Sequence, residues 1–499
     1  MKPLIGGPVA LLATAAALAL PTGALAAAGA LDPTFDKDGR TVLPYAGRPA
    51  AVIAQPDGKT IVAGTTAKDE LAAWRLRADG SIDTGFDHDG EAIVAPGDLA
   101  ELTAAALQAD GKILLAGVSY SVKGPYAVLV RLNANGSPDD SFKTGEAGLT
   151  GSAVPDTITA ILVQPDGRIV VAGRDGDDFA LARLYATGKS DGTVFEPGQF
   201  GGYDTPTAAA LQRDGGIVLA GTSEELEVDQ YAPKAVVARY THDGKLDEHF
   251  AGTGKRLLGY GRPAGVVTQG DGKVVVERKT ADADSRTLLS RLAANGGYDP
   301  TFGRGGNAVV DLHGPDAPAG LALQRDGKLL VAGSAGYDFA AARLTAAGAP
   351  DASFGLGGAS LFGFTGVNQA FAAALQPDGR LLIAGRATVG STDRVAVARL
   401  LADPPPVVRD RVAPVVSALS ASARRVRFAL SEAADVRVVV KRRRGGVVRR
   451  VSLTARPAGA NAVRLRVRRP GRYRVTVTAT DRAGNRSLPR RASFRLTHR

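Results

Sequence analysis

Seven times along this chain a glutamine stands two residues before an Asp-Gly pair, and no other feature constrains the fold as tightly. The glutamines are Gln55, Gln108, Gln164, Gln212, Gln269, Gln324 and Gln376, at intervals of 53, 56, 48, 57, 55 and 52 residues. A fixed period of this size marks a repeat architecture, in which neighbouring units bury one another's apolar faces. Asp-Gly between two β-forming runs is a strong hairpin signal, because glycine takes positive φ without a Cβ clash. Where proline intervenes, as in Gln55-Pro56-Asp57-Gly58, it presets φ at the first central turn position.

The second unit shows what is repeated. Ala105–Gln108 reads as a short strand, Ala109–Lys112 as a turn and Ile113–Gly117 as a second strand. After a variable loop, Ala127–Leu132 makes a third, and Ser137–Phe142 leads into a fourth. Four short strands in about 50 residues match one blade of a β-propeller. The expected fold is therefore all-β: a seven-bladed β-propeller over residues 31–401, then a small β-sandwich. The array's ends predict closure. Inside it, each Arg-Leu strand runs into an Asp-x-x-Phe segment, but Arg399-Leu400 has none after it, and Leu31-Asp32-Pro33-Thr34-Phe35 is an orphan copy at the start. Residues 31–45 are expected to supply the outermost strand of the seventh blade, which would remove an open sheet edge.

The strings Leu-Asp-x-x-Phe, Ala-x-Ala-Leu-Gln-Pro-Asp-Gly-Lys-Ile-Leu-Val-Ala-Gly and Ala-Arg-Leu resemble the delta-60 repeat family over residues 31–403. That resemblance implies a β-propeller without an assigned general activity, and the similarity to NHL-type repeats implies that the glutamine-bearing strand lies innermost. The fourth unit departs from it: Asp191–Phe195 carries one residue too many, and Asp214-Gly215-Gly216 lacks the usual Lys or Arg.

Arginines recur in the third strand (Arg75, Arg131, Arg183, Arg239, Arg291, Arg343, Arg399), and aspartates follow at Asp32, Asp83, Asp139, Asp247, Asp299 and Asp351. Recurrence in every unit points to structural pairs, since sites break a repeat's symmetry. The glutamines are expected to cap their own turns. Loops between the second and third strands vary most, and two are acidic: Asp175, Asp177 and Asp178 in the third unit, and Glu224, Glu225, Glu227 and Asp229 in the fourth. Clustered carboxylates suit a hard cation such as calcium, the one cofactor these loops bring into view, although a solvated acidic rim is the plainer explanation. Asp36-Lys37-Asp38-Gly39 and Asp87-His88-Asp89-Gly90 are calcium-loop fragments without the full ligand spacing. The chain has no cysteine and only five histidines, which excludes disulfides, thiolate metal sites and a Cys nucleophile. It contains no Gly-x-Ser-x-Gly, His-Glu-x-x-His or phosphate-loop motif, so no catalytic residue is assigned.

Residues 1–30 read as a secretory leader: Lys2, an apolar stretch from Leu11 to Leu20, then Ala24-Leu25-Ala26 as a cleavage pattern near Ala26. Secretion or association with the cell envelope follows, with no membrane span left after cleavage. Pro404-Pro405-Pro406 stiffens a linker at 402–411. Beyond it charge changes sign. Residues 409–499 hold 25 Lys plus Arg against four acids, a formal +21, which leaves −10 of the chain's +11 for the rest. Residues 412–499 alternate apolar and basic, as at Val463–Arg468, which predicts antiparallel strands of a β-sandwich. The stretch Gly471–Asn485 resembles the end of bacterial immunoglobulin-like or fibronectin-like domains. Lys441, Arg442, Arg443 and Arg444, with Arg449 and Arg450 after Gly445-Gly446, form the expected polyanion-binding hairpin. Outside the cell its partner would be an anionic envelope polymer or lipid surface, or a protein, rather than nucleic acid. The function expected is a monomeric, non-enzymatic binding or scaffold protein; the alternative is a propeller hydrolase or lyase acting on extracellular polysaccharide.

Overall fold

The computed structural model describes residues 27–95, 99–121, 124–142, 155–224, 233–280, 286–314, 316–401, 413–481 and 485–497. Most of the expected leader, the linker at 402–411, and loop residues Glu225, Glu227 and Asp229 lie outside them. All regular structure among the described residues is β, and the chain divides into two compact units at Pro404/Pro405.

In the first unit the chain forms small antiparallel sheets in sequence order. The strand before each Gln-x-Asp-Gly turn pairs with the strand after it, as Leu99–Leu107 does with Ile113–Ser121. These first strands end at Ala54, Leu107, Val163, Leu211, Thr268, Leu323 and Leu375; each touches the next, and the last touches the first. Second and third strands such as Thr60–Thr66 and Leu71–Leu76 are almost wholly buried because both faces are covered by neighbouring sheets. Alternate residues serve different cores: Val62 packs with Leu382 and Ala384 of the last repeat, whereas Ile61 and Ala63 pack with Leu102, Ile113 and Leu115 of the second.

Short outer strands complete several sheets, at Glu91–Val94, Lys255–Tyr260, Asn307–Val310 and Ala359–Phe362. The Asp-x-x-Phe segments are turns, with single bridges such as Leu132↔Pro138. The strand Arg40–Ala54 joins both ends of the array. Its start pairs with Thr392–Leu400 (Arg40↔Ala398, Val42↔Ala396), and from Gly47 onward it pairs with Thr60–Thr66. Within the expected 31–45 segment only the part from Arg40 is strand. Leu31 makes one bridge to Leu400, and Asp32–Gly39 wraps a turn closed by Phe35 N donating to Asp32 O (2.9 Å) and Gly39 N to Phe35 O (2.7 Å). Residues 27–30, grouped above with the leader, are part of the fold: Ala28 is buried against Phe354, and Gly29 N donates to Leu401 O at 3.0 Å.

The C-terminal unit holds two sheets, one of Val416–Ala421, Arg425–Leu430 and Gly459–Arg464, the other of Ala434–Arg442, Val447–Arg456, Gly471–Thr480 and Arg490–Leu496. Val426, Phe428 and Val463 from the first and Val438, Tyr473, Val475 and Val477 from the second share one core.

Candidate functional surfaces

The recurring arginines and aspartates are clamps between repeats. Arg Nε forms an ion pair with an Asp Oδ2 eight residues on: Arg75–Asp83 (2.8 Å), Arg131–Asp139 (2.8 Å), Arg183–Asp191 (2.6 Å), Arg239–Asp247 (2.7 Å), Arg291–Asp299 (2.9 Å) and Arg343–Asp351 (2.9 Å). The seventh pair, Arg399–Asp32 at 2.8 Å, joins the two ends of the array. Asp191 therefore belongs to the series, although its extra residue hid it; the constant eight-residue spacing was the available signal. The other carboxylate oxygen caps the turn, as Thr301 N donates to Asp299 Oδ1 at 3.0 Å. The guanidinium lies over the following phenylalanine, 4.4 Å from the Phe86 ring at Arg75 and 4.7 Å from Phe35 at Arg399. Its Nη1 reaches the next repeat, from Arg239 to Ala294 O (2.7 Å) and from Arg399 to Ala78 O (2.6 Å). A second cation after the turn completes the clamp, as Lys328 does at Asp351 (3.3 Å) and Arg380 at Asp32 (2.9 Å). Burial disfavours the ionised Asp299, but the Thr301 hydroxyl and N–H with the Arg291 and Lys273 charges outweigh it and hold its pKa at about 2. Asp351 is held at about 2 against burial by Ser353, Arg343 and Lys328.

Three of the glutamines bond away from their own turns, contrary to the expectation that they cap them. Gln376 Nε2 donates to Gly58 O (3.2 Å) and Gln164 Nε2 to Gly215 O (3.5 Å), each in another repeat, whereas Gln108 Oε1 accepts from Arg131 Nη1 of its own repeat (3.2 Å). The turn is capped by its aspartate instead: Lys59 N donates to Asp57 Oδ1 at 3.1 Å, and the same bond recurs at Asp378. Asp reaches the N–H two residues on, whereas the longer side chains of Gln164 and Gln376 span to the neighbouring turn.

The two acidic loops adjoin through one strand. Asp175 and Asp178 face each other across a hairpin whose tip, Gly176-Asp177, needs positive φ (56°) at Gly176. Asp178 Oδ2 accepts from Gln199 Nε2 (2.8 Å), and the Asp177 carbonyl accepts from Asp204 N (2.8 Å). Tyr203, beside Asp204, is the register partner of Glu224, which pairs with Arg262 at 2.9 Å. Two of the described acids are thus engaged with side-chain donors. Among the described residues no three of His, Asp and Glu gather as a metal-ligand set. The two calcium-like fragments are tight turns with positive φ at Asp36 and Lys37 and at Asp87 and His88; at the first of these positions the fifth and sixth repeats use Gly303 and Gly355.

In the C-terminal unit, Lys441–Arg444 run into the tip of a hairpin and are exposed, as are Arg449 and Arg450 on its return strand. Arg442 Nη2 donates to Pro470 O (2.8 Å), and Arg443 N to Arg472 O (2.8 Å), so the tip is fixed beside the strand Gly471–Thr480. The surface is wider than the hairpin. Arg425, Arg427, Arg464 and Arg466 line a cavity of about 810 Å³, and Arg443, Arg472, Arg474 and Arg495 another of about 400 Å³. Period-two alternation already marked these strands; only the pairing register brings their arginines together.

Residues 55–86, 108–142, 164–193, 324–354 and 376–403 match the family described as "Domain of unknown function (DUF5122) beta-propeller". The repeat region is a β-propeller. Each matched segment begins at a turn glutamine, and three of the five end at the phenylalanine of the Asp-x-x-Phe turn. Comparison with curated proteins finds no match. Solved structures similar to the chain include PorZ, a surface component of the type-IX secretion system of Porphyromonas gingivalis, at 10% identity and a TM-score of 0.38 over 88% of this chain and 58% of PorZ. The Nup133 β-propeller domain of Vanderwaltozyma polyspora aligns at 10% identity and TM-score 0.38 over 72% of this chain and 97% of its own. Prolyl oligopeptidase B of Galerina marginata aligns at 11% identity and TM-score 0.40, over 80% and 57%. This chain spans just over half the length of PorZ and of the oligopeptidase, and neither carries a function to it.

One repeat of the propeller departs from the others in its second strand. Eight and nine residues after the turn glutamine, six repeats have Ala-Gly, as at Ala63-Gly64 and Ala384-Gly385; the fifth has Glu277-Arg278. Glycine is used because a Cβ at Gly64 would lie 2.3 Å from Arg48 O. Arg278 sits there with Nε on Ser290 Oγ (3.1 Å) and Nη1 on Tyr260 O (2.9 Å). Glu277 is fully buried, with neither carboxyl oxygen hydrogen-bonded, and a Cβ on Gly265 would lie 2.9 Å from its Oε2. Burial alone pushes its pKa up to about 8. Comparing the seven repeats column by column would have found it.

Proposed function

We propose that this chain is an exported, non-enzymatic binding protein of the cell envelope: a seven-bladed propeller of the delta-60 kind that serves as a partner platform, joined to a small immunoglobulin-like β-sandwich that tethers it to an anionic polymer. The observation that carries this is the charge of the C-terminal unit. Twenty-five cations against four acids leave a formal +21 on residues 409–499, and the arginines of its strands point outward. Solubility needs a net charge of only about 2–8 on a small domain. Arginine outnumbers lysine there by 24 to one, and its planar fork favours bidentate contact with phosphate or carboxylate. In the propeller the recurring charges are consumed by the clamps, which supports assigning the platform to the irregular loops instead.

The test is co-sedimentation with anionic envelope fractions, comparing the full chain with one ending at residue 404. Tethering predicts retention of the full chain at low salt, release at high salt and no retention of the shortened chain. Equal retention of both would sink the assignment.

A further inference from the structure

The C-terminal unit turns like charges toward one another on both sides of its core. Arg425 is the direct cross-strand partner of Arg464, with Arg427 two residues along the strand. In the other sheet Arg472 lies opposite Arg495, and Lys441 opposite Arg474. Like charges directly opposite destabilise a sheet. No carboxylate lines either of the two cavities these residues form. On the intervening positions Val426, Phe428, Tyr473 and Val475 enter the shared core, so the two basic faces point away from each other.

We propose that the two faces are separate sites for strands of a linear phosphate-bearing polymer, so that one molecule cross-links two strands. This rests on the tethering function proposed above and adds valency to it. Arginines at i and i+2 along a strand stand roughly 6.6–6.8 Å apart, a spacing that suits successive phosphates of an extended polymer. A bound phosphate between Arg425 and Arg464, or between Arg472 and Arg495, converts a repulsive pair into two charge-assisted contacts. One flat bilayer can meet only one of two opposed faces, which favours a polymer over a membrane. Two weak sites on one small unit also raise avidity without any further contact.

The experiment uses the full chain and poly(glycerol phosphate), read by light scattering and by binding at several salt concentrations. Wild type should scatter maximally at an intermediate polymer-to-protein ratio. Arg425→Ser/Arg427→Ser/Arg464→Ser and Arg472→Ser/Arg474→Ser/Arg495→Ser should each still bind, with the log–log salt slope reduced by about 2 for three lost single-strand contacts. Each should scatter at least tenfold less, and lysine at the same three positions should restore scattering. A control triple at the exposed propeller residues Arg213, Arg304 and Arg325 should scatter like wild type. Single-face variants that bind and still cross-link would overturn the two-site proposal and leave tethering standing. Equal loss in the control would also overturn it, by assigning the effect to net charge. Clustering of anionic vesicles without polymer binding would overturn it in favour of a lipid surface. No binding of wild type to polymer or envelope fractions would remove both proposals.

Discussion

Replacing Glu277 by glutamine should abolish a pH dependence built into the fifth blade. The carboxyl is fully buried without a hydrogen bond, and its pKa is pushed from 4.5 to about 8. Between those values the folded state holds a proton that the unfolded chain has released. Its contribution to stability is therefore greatest below about pH 4.5, falls by about 1.4 kcal/mol per pH unit as pH rises, and levels off above about pH 8. At pH 7 the accumulated loss is about 3 kcal/mol, a large part of a domain's net stability. Glutamine keeps the side chain's size and cannot ionise. Its own burial penalty is the same at every pH, so the difference between the two proteins isolates the carboxyl. Trp74 is the chain's only tryptophan and is buried in the propeller, so its fluorescence during urea denaturation reports on that unit alone. Measured at pH 5.5 and 7.5, the wild type should lose about 3 kcal/mol more than Glu277→Gln. Parallel pH profiles would refute the reasoning, and would mean that Glu277 finds a partner or water when ionised.

Other outcomes follow from the same contacts. Arg399→Ala leaves Asp32 buried without its closest cation and should cost about 3–5 kcal/mol, the scale of a broken buried pair; Asp32→Asn in the same chain should recover part of it in a double-mutant cycle. Removing residues 27–46 should lower the melting temperature by more than Arg399→Ala does, because it also takes away Ala28, Phe35 and Leu43 from the cores; an unchanged melting temperature would contradict closure by this segment. The clamp aspartates have lowered pKa values, so their contribution is complete above about pH 4 and is lost as pH falls toward about 2; acid titration of Trp74 fluorescence should show unfolding there. Neutralising Lys441, Arg442, Arg443 and Arg444 together should weaken polymer binding and reduce its salt slope, without moving the melting of either unit.

Much of this fold was legible because it rests on local rules applied repeatedly. Asp57-Gly58 and its counterparts make their turns by short-range chemistry, and the period then exposes the repeat. The orphan Asp32 and the missing partner of Arg399 could be matched by counting, although they are 367 residues apart in the chain. What the sequence concealed depends on side-chain reach and cross-strand register. Local caps are the default for turn glutamines, whereas Gln164 and Gln376 bond to the neighbouring repeat. Glu277-Arg278 carries no local signal of its burial, since burial on both faces is conferred by neighbours and not by the residues themselves. The outward arginines of Arg425–Leu430 and Gly471–Thr480 were visible as alternation, but which of them stand opposite one another is a matter of register.

We propose that the C-terminal unit, and not the propeller's repeated charges, binds a polyanion. The most direct measurement is the affinity of the full chain for poly(glycerol phosphate) against salt, beside the chain ending at residue 404. Six engaged phosphates predict a log–log slope near −4 for a single strand, with binding lost in the shortened chain. A slope near zero, or the same affinity in both chains, would contradict the account.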